Sequence, residues 1–269
     1  MAPTNLIFLH IPKTAGTTLH MVIGRNYPER KCCTINAIRW PEKLENLDGL
    51  KKENISMLKG HMPFGAHEYM RPGSFEYFTL LREPIDRTVS HYYQVLRSKT
   101  HHFADEMAEK KYTLAELMES GRLLYVDNLQ VRMLSGDLRI PYGTVNEKTL
   151  EKAISNLENY FPVVGLQTHF DEFLLRLGDR YQWKQLWYRR HRVAGNRVKA
   201  SQLDDKTREA VERYNRFDLL LYERVKAQTE LQLANAGEDF HRRLEKFKKR
   251  NERISQLINA IPFFPKPKG

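Results

Sequence analysis

In HIPKTAGTTL, His10 to Leu19, a lysine, a glycine and three threonines stand almost side by side. Lys13 brings a full positive charge, and Thr14, Thr17 and Thr18 bring hydroxyl donors. Gly16, beside Ala15, lets main-chain N–H groups approach an anion closely. If a helix starts here, its positive dipole end falls on the same spot. The chemistry these residues suit is the cradling of a phosphate-like group. The order is not that of the nucleotide-triphosphate loop GxxxxGK[ST], because the lysine precedes the glycine and none follows it. A capped helix start without a ligand is the alternative reading.

Two other segments could join this cradle. Arg82, in LLREPIDRTVSHYY, offers a forked, charge-assisted grip on phosphate oxygens, and Ser90 follows in the same segment. Its other reading is a local ion pair with Glu83 or Asp86. His61, in KGHMPFGAH, is placed to accept a hydroxyl proton near neutral pH. His67, further along the same loop, is the alternative base. His10 is expected to pack under the cradle and orient it, and His20, His91, His101 and His102 to be structural or exposed.

The elements that must hold these residues are short apolar runs alternating with helical patterns. Strands are expected at Asn5 to His10, Ile55 to Lys59, Phe75 to Leu81 and Phe161 to Leu166. Helices are expected at Gly16 to Arg25, at about Ile85 to Arg97, from Phe170 to Leu177, and from Asp204 to Gln228, with 103 to 158 mostly helical. Strands alternating with helices predict an α/β domain with a central, mostly parallel sheet. Lys13, Arg82 and His61 then share the carboxyl edge of that sheet, where open α/β sheets bind ligands. From Glu238 onward Phe240, Leu244, Phe247, Ile254, Ile258 and Ile261 repeat at helical steps once Asn251 is counted as a polar interruption. This predicts an amphipathic helix that packs on the parent domain, dimerises or lies on an anionic membrane. The division expected is a domain over 1–228 and a helical extension over 229–269.

PKTAGTT after an apolar strand resembles the 5′-phosphosulfate loop of sulfotransferases that use 3′-phosphoadenosine 5′-phosphosulfate (PAPS). The likeness is to the carbohydrate branch that includes the heparan sulfate 2-O- and 6-O-sulfotransferases. Arg82 and Ser90 match the spacing of that family's 3′-phosphate signature. Gly60-His61 resembles a glycine–histidine pair of the 2-O-sulfotransferases whose histidine is the proposed base. DNLQVRMLSG, Asp127 to Gly136, and VGLQTHFDEFLLRL, Val164 to Leu177, resemble later segments of the family. RRHRVAGNR, Arg189 to Arg197, resembles a late basic loop that closes over the cofactor, with a solvated loop as the other reading. The resemblance runs from about Leu6 to Arg224 and implies a P-loop-like sulfotransferase fold.

It further implies that PAPS is bound by Lys13, Thr14, Ala15, Gly16, Thr17, Thr18, Arg82 and Ser90, with no metal. Lys13 would also stabilise charge on the leaving bridging oxygen, and His61 would take the acceptor's proton. The acceptor would be a hydroxyl on a glycan or glycolipid, met by residues 62 to 72 and 99 to 145. Tyr69, Arg71, His101, Arg132 and Arg139 are the candidate contacts. A nucleotide-dependent kinase using the same cradle is the alternative function, and a catalytically dead scaffold is disfavoured by the presence of Lys13, Arg82, Ser90 and His61 together.

The bulk composition agrees with this. The chain has 269 residues, 41% hydrophobic and 29% charged, with a net charge of +11. A highly charged cofactor accounts for a basic surplus without nucleic acid, since the charge is spread along the chain. The only two cysteines, Cys32 and Cys33, are adjacent and indicate no disulfide framework. There is no apolar run of membrane-spanning length and no signal-peptide pattern, so a cytoplasmic or membrane-peripheral protein is expected.

Overall fold

The structure, a computed structural model, describes residues 5–36, 55–70, 72–98, 101–189 and 198–260. Strand β1 (Asn5–Leu9, NLIFL) is buried at every position. That is what a strand needs when it has neighbours on both sides and helices on both faces. It lies at the middle of a parallel sheet with β2 (Cys32–Asn36), β3 (Met57–His61), β4 (Phe75–Leu81) and β5 (Val163–Leu166), in the order β2-β3-β1-β4-β5. Leu9 stands opposite both Gly60 and Thr79, and Asn36 opposite His61, so the carboxyl ends of these strands finish together. β2 has no counterpart among the strands read from sequence. It is an edge strand of mixed polarity, mostly half-buried, and gives neither a buried run nor a clean alternation.

Around the sheet the described residues form α1 (Gly16–Asn26), α2 (Pro84–Arg97), α3 (Ala104–Lys110), α4 (Leu114–Ser120) and α5 (Leu129–Ser135). These are followed by α6 (Glu147–Tyr160), α7 (Phe170–Tyr181), α8 (Asp205–Tyr214), α9 (Arg216–Ala234) and α10 (Glu238–Ala260). Alternation along β1 assigns the two faces. Leu6 and Phe8 pack with Leu19, Val22 and Ile23 of α1 and Phe173, Leu174 and Leu177 of α7. Ile7 and Leu9 pack with residues of α5, α6 and α9. A third apolar cluster joins α2, α3, α4 and α8 beside the sheet.

The helix expected over 204–228 is two helices, broken at Asn215. Its buried amide donates to the carbonyls of Val126 and Val211, both at 2.9 Å. Next to it, α5 and α9 cap each other's amino ends. Asn128 Oδ1 accepts the N–H groups of Phe217 (2.9 Å) and Asp218 (3.1 Å). The Asp218 carboxylate accepts those of Gln130 (3.1 Å) and Val131 (2.8 Å). The orphan donors of two buried helix ends are thereby satisfied inside the core.

Position 228 lies inside α9, and the helical run is interrupted instead at 235–237. α10 packs against α7 with Leu244 buried, and Lys248 pairs with Glu172 at 3.1 Å. Asn251, read from the pattern as a polar interruption, is fully buried, while Leu257 is exposed. Asn251 Oδ1 accepts the N–H of Tyr188 at 2.7 Å, and Ser255 Oγ donates to the Tyr188 carbonyl at 3.2 Å. The helix thus holds both main-chain groups of a residue in the extended segment after α7. Asn251→Ala is expected to cost about 1–3 kcal/mol by stranding the Tyr188 N–H, read as a lower urea midpoint at unchanged m-value.

Candidate active site

The loop between β1 and α1 is held in an uncommon shape. Lys13 and Ala15 have φ of 73° and 72°, in the left-handed region that side chains disfavour. Thr14 Oγ1 turns inward and donates to the Ile11 carbonyl at 2.8 Å. Thr14 is therefore a brace inside the loop, and the expectation that its hydroxyl faces an anion is corrected: the threonine is fully buried and its proton is taken. Thr17 and Thr18, in the first turn of α1, do line the cavity above the loop. α1 starts with no side-chain cap and no acidic residue in its first turn, which leaves its dipole end to an anion.

Gly16 is required for packing. A Cβ there would lie 1.7 Å from Nε2 of His10, so the imidazole is pressed against the glycine. His10 stacks on Phe8 at 5.2 Å between ring centroids, and Phe8 on Phe78 at 5.1 Å. His10 Nδ1 meets His20 Nε2 at 3.1 Å. The His10 carbonyl accepts from Nδ1 of His61 at 2.7 Å. A carbonyl can only accept, so this bond fixes the proton of a neutral His61 on Nδ1 and leaves the lone pair on Nε2. Gly60 has φ of 135°, and a Cβ on it would lie 2.0 Å from the Ile35 carbonyl oxygen. The glycine thus lets β3 run close beside β2 just before His61.

Burial moves these imidazoles downward. His10 lies well below its ordinary value through burial first, then the neighbouring His61, His20 and Lys13. His20 is lowered to about 4, again through burial first and then Lys59 and His61. His61 is also lowered by burial, against an opposing contribution from its bond to His10. It is neutral at pH 7 and can accept a proton.

Arg82 follows β4 and is almost buried. Its Nη1 donates to the Lys13 carbonyl at 3.1 Å, which ties it to the cradle. Gln130 of α5 holds both its main-chain groups, accepting its N–H at 3.1 Å and donating to its carbonyl at 3.0 Å. α2 begins immediately after, with Glu83 accepting the N–H groups of Ile85 and Asp86 at 3.0 and 2.6 Å and Pro84 in the first turn. This places Ser90 on the cavity side of the helix.

Lys13, Ala15, Gly16, Thr17, Thr18, His61, Arg82 and Ser90 all line one cavity of about 700 Å³ at the carboxyl edge. His67 does not. It stacks on Phe75 at 3.9 Å, bonds Tyr77 Oη through Nδ1 at 2.9 Å, and lines a separate hollow with Asn5, where β1 and β4 begin. Nor do Tyr69, Arg132 and Arg139. Arg132 is fully buried in an ion pair with Asp127, with the Ile140 and Pro141 carbonyls as further acceptors, so it is structural. Arg71 and 190–197 lie outside the described residues. Sequence reasoning missed Asn36, His91, Gln94, Ser98, His102, Tyr125, Gln167, Phe170 and Tyr188 in the cavity wall. For Gln94 and Ser98 a signal existed, since they follow Ser90 at successive helical steps.

The chain matches the model of the Sulfotransferase family over residues 2–223. The chain belongs to the sulfotransferase family. A search of curated proteins gives no match. A sulfotransferase must hold a sulfate donor and a hydroxyl acceptor, and the cavity wall has suitable charge. Among its described residues are Lys13, Arg82 and Arg189 and no aspartate or glutamate. α10 lies beyond the family match, yet through Tyr188 it fixes part of the cavity wall of this sulfotransferase.

The histidines whose pKa burial lowers, fully buried His10 and half-buried His20 and His61 among them, make stability depend on pH in a definite direction. An unfolded imidazole titrates near 6.5, so below about pH 6.5 the unfolded chain binds protons that the folded one refuses. Their contribution is whole above that value and is lost as pH falls towards the lowered folded values, to about 4 for His20. Denaturant titrations across this range should show stability falling with pH. His20→Phe should flatten the slope, and an unchanged slope would mean that His20 is not held neutral in the folded chain.

Proposed function

We propose that this sulfotransferase transfers a sulfuryl group from PAPS to a hydroxyl of a carbohydrate or glycolipid, with His61 as the general base. The observation that carries the reading is that the anion cradle, the Arg82–Ser90 pair and the lone pair of His61 Nε2 belong to one cavity with no carboxylate among its described lining residues. Bound PAPS supplies an activated sulfuryl group and leaves as 3′-phosphoadenosine 5′-phosphate (PAP). Thr17, Thr18 and the amino end of α1 hold the 5′ anionic group still, and Arg82 and Ser90 take the 3′-phosphate. His61 Nε2 accepts the acceptor's hydroxyl proton as the acceptor oxygen bonds to sulfur. Lys13 meets the charge that develops on the bridging oxygen as its bond to sulfur breaks, an interaction stronger in the transition state than before it.

The kinase reading is less well supported. It needs a carboxylate for Mg²⁺ beside the phosphates, and the described wall offers none.

Calorimetric titration with PAP tests the donor assignment. Tight binding is expected, weakened about 10–100-fold in Lys13→Ala and in Arg82→Ala, the range for losing a charged hydrogen bond. Binding of 5′-AMP should be weaker and should lose less than PAP does in Arg82→Ala, and PAP affinity should fall as salt rises. A preference for ATP over PAP would overturn the reading. In transfer assays with a glycoside acceptor, His61→Ala is expected to lower kcat by about 10²–10⁴-fold while leaving PAP affinity unchanged. Retained kcat would remove His61 as the base.

A further inference from the structure

α10 packs on the domain with one side only. Leu244, Asn251 and Ser255 are buried, and Lys248 turns to Glu172. At 3.6 residues per turn, Arg242, Lys246, Lys249, Arg250 and Arg253 fall on the opposite side, and all five are exposed. Arg242 pairs with Asp239 in the first turn. Lys246, Lys249, Arg250 and Arg253 have no ion pair among the described residues. The exposed glutamates of this stretch, Glu245 and Glu252, stand seven positions apart and so share the flank between the basic side and the core. There Glu245 lies 3.7 Å from Lys248. A helix that only faces water mixes both signs along its exposed side; this one sorts them.

The basic side runs about 16 Å from Arg242 to Arg253, at 1.5 Å per residue. One turn further, in line with it, Leu257 is 67% exposed. After Ala260 the sequence reads IPFFPKPKG, apolar residues and then two lysines, outside the described residues. The helix also has a definite direction. Phe240 lines a hollow with Val163, where β5 starts, whereas Asn251 and Ser255 hold Tyr188 in the wall of the active-site cavity. α10 therefore runs from the amino edge of the sheet to the carboxyl edge, and Leu257 lies towards the end that carries the cavity.

We infer that the outer side of α10 docks on the surface of an anionic lipid membrane. Lysines and arginines in a row meet the headgroup phosphates, and an apolar residue beside them enters the acyl boundary. The apolar side of α10 is already taken by the domain, so attraction between charges supplies most of the affinity. An RNA would meet the same cations. It has no counterpart for an exposed leucine followed in sequence by Ile261, Phe263 and Phe264, whereas a membrane has its acyl chains. Docking of this kind is independent of the donor and acceptor proposed above.

The test is co-sedimentation of the full chain with vesicles of phosphatidylcholine alone and of phosphatidylcholine and phosphatidylglycerol in equal parts. Binding is expected to the anionic vesicles and not to phosphatidylcholine, and it should weaken as salt rises. Lys246→Gln, Lys249→Gln and Arg253→Gln together should weaken it about 100-fold, at about fivefold for each cation lost. Leu257→Asp should weaken it about tenfold. These side chains are all exposed, so urea midpoints should match the wild type, which separates lost docking from lost folding. The inference fails if the chain ignores the anionic vesicles, binds both kinds alike, or keeps its binding in the triple variant. Poly-uridylate RNA that binds more tightly than the vesicles and is lost in the triple variant assigns the face to nucleic acid and overturns it as well. PAP affinity in the triple variant should stay within about twofold, since exposed charges beyond a Debye length are screened. A wild-type chain that docks on the anionic vesicles but does not bind PAP overturns the donor assignment and leaves the docking face standing.

Discussion

The contact on which the candidate site depends is the His10 imidazole lying directly against Gly16. It sets how closely α1 can start beside the end of β1, because any side chain at position 16 would occupy the space of the ring. The same histidine holds His61 through its carbonyl and meets His20 of α1 through its ring. The relative position of the β1–α1 loop and His61 is therefore passed through one residue, itself stacked on Phe8, which stacks on Phe78 of the sheet. Such over-determination explains how the loop sustains left-handed geometry at both Lys13 and Ala15, strain that would otherwise relax.

A second chain of contacts reaches the site from the opposite face. Arg82 is held by its main chain through Gln130, Gln130 lies in the first turn of α5, and α5 and α9 are locked by the exchange between Asn128 and Asp218. The segment Asp127 to Gly136 thus contributes no wall residue yet positions the arginine that does. The buried Arg132–Asp127 pair beside it, with its remaining donors spent on carbonyls, belongs to the same scaffold. A fully satisfied polar network of this kind specifies one arrangement, because every shifted alternative leaves a buried group unpaired.

How far the sequence could be read follows from where each residue finds its partner. β1 and β4 are apolar throughout most of their length and stand out locally, as does the cradle at the junction of strand and helix. Thr14 shares its residue type with Thr17 and Thr18, and only the loop's actual turn shows that its hydroxyl points inward. Asn251 is a polar residue in an amphipathic pattern, and periodicity assigns it to solvent. Its partner, Tyr188, is 63 positions away, so its burial is a tertiary fact with no local sign. β2 is hidden for the converse reason: an edge strand can be half-exposed and polar because the sheet supplies its order. Arg132 and His91 fail the same way, since burial of a polar side chain is decided by what surrounds it.

The basic surplus, finally, says less about the site than the distribution of charge within it. Many surface arginines are paired, as in Arg180–Glu76, Arg243–Asp179 and Arg224–Glu158, and exposed pairs of this kind contribute little. The described cavity wall carries Lys13, Arg82 and Arg189 and no carboxylate, and Asp86, which is not part of that wall, stands 3.9 Å from Arg82. The buried histidines then act by being neutral. Were His10, His61 and His91 charged, the cavity would hold any polyanion more tightly before and after reaction alike, and such uniform binding would not speed the chemical step. Burial instead keeps His10, His61 and His91 uncharged and leaves the fixed positive charge to Lys13, Arg82 and Arg189. The bond from His61 Nδ1 to the His10 carbonyl leaves the lone pair of that neutral ring on Nε2.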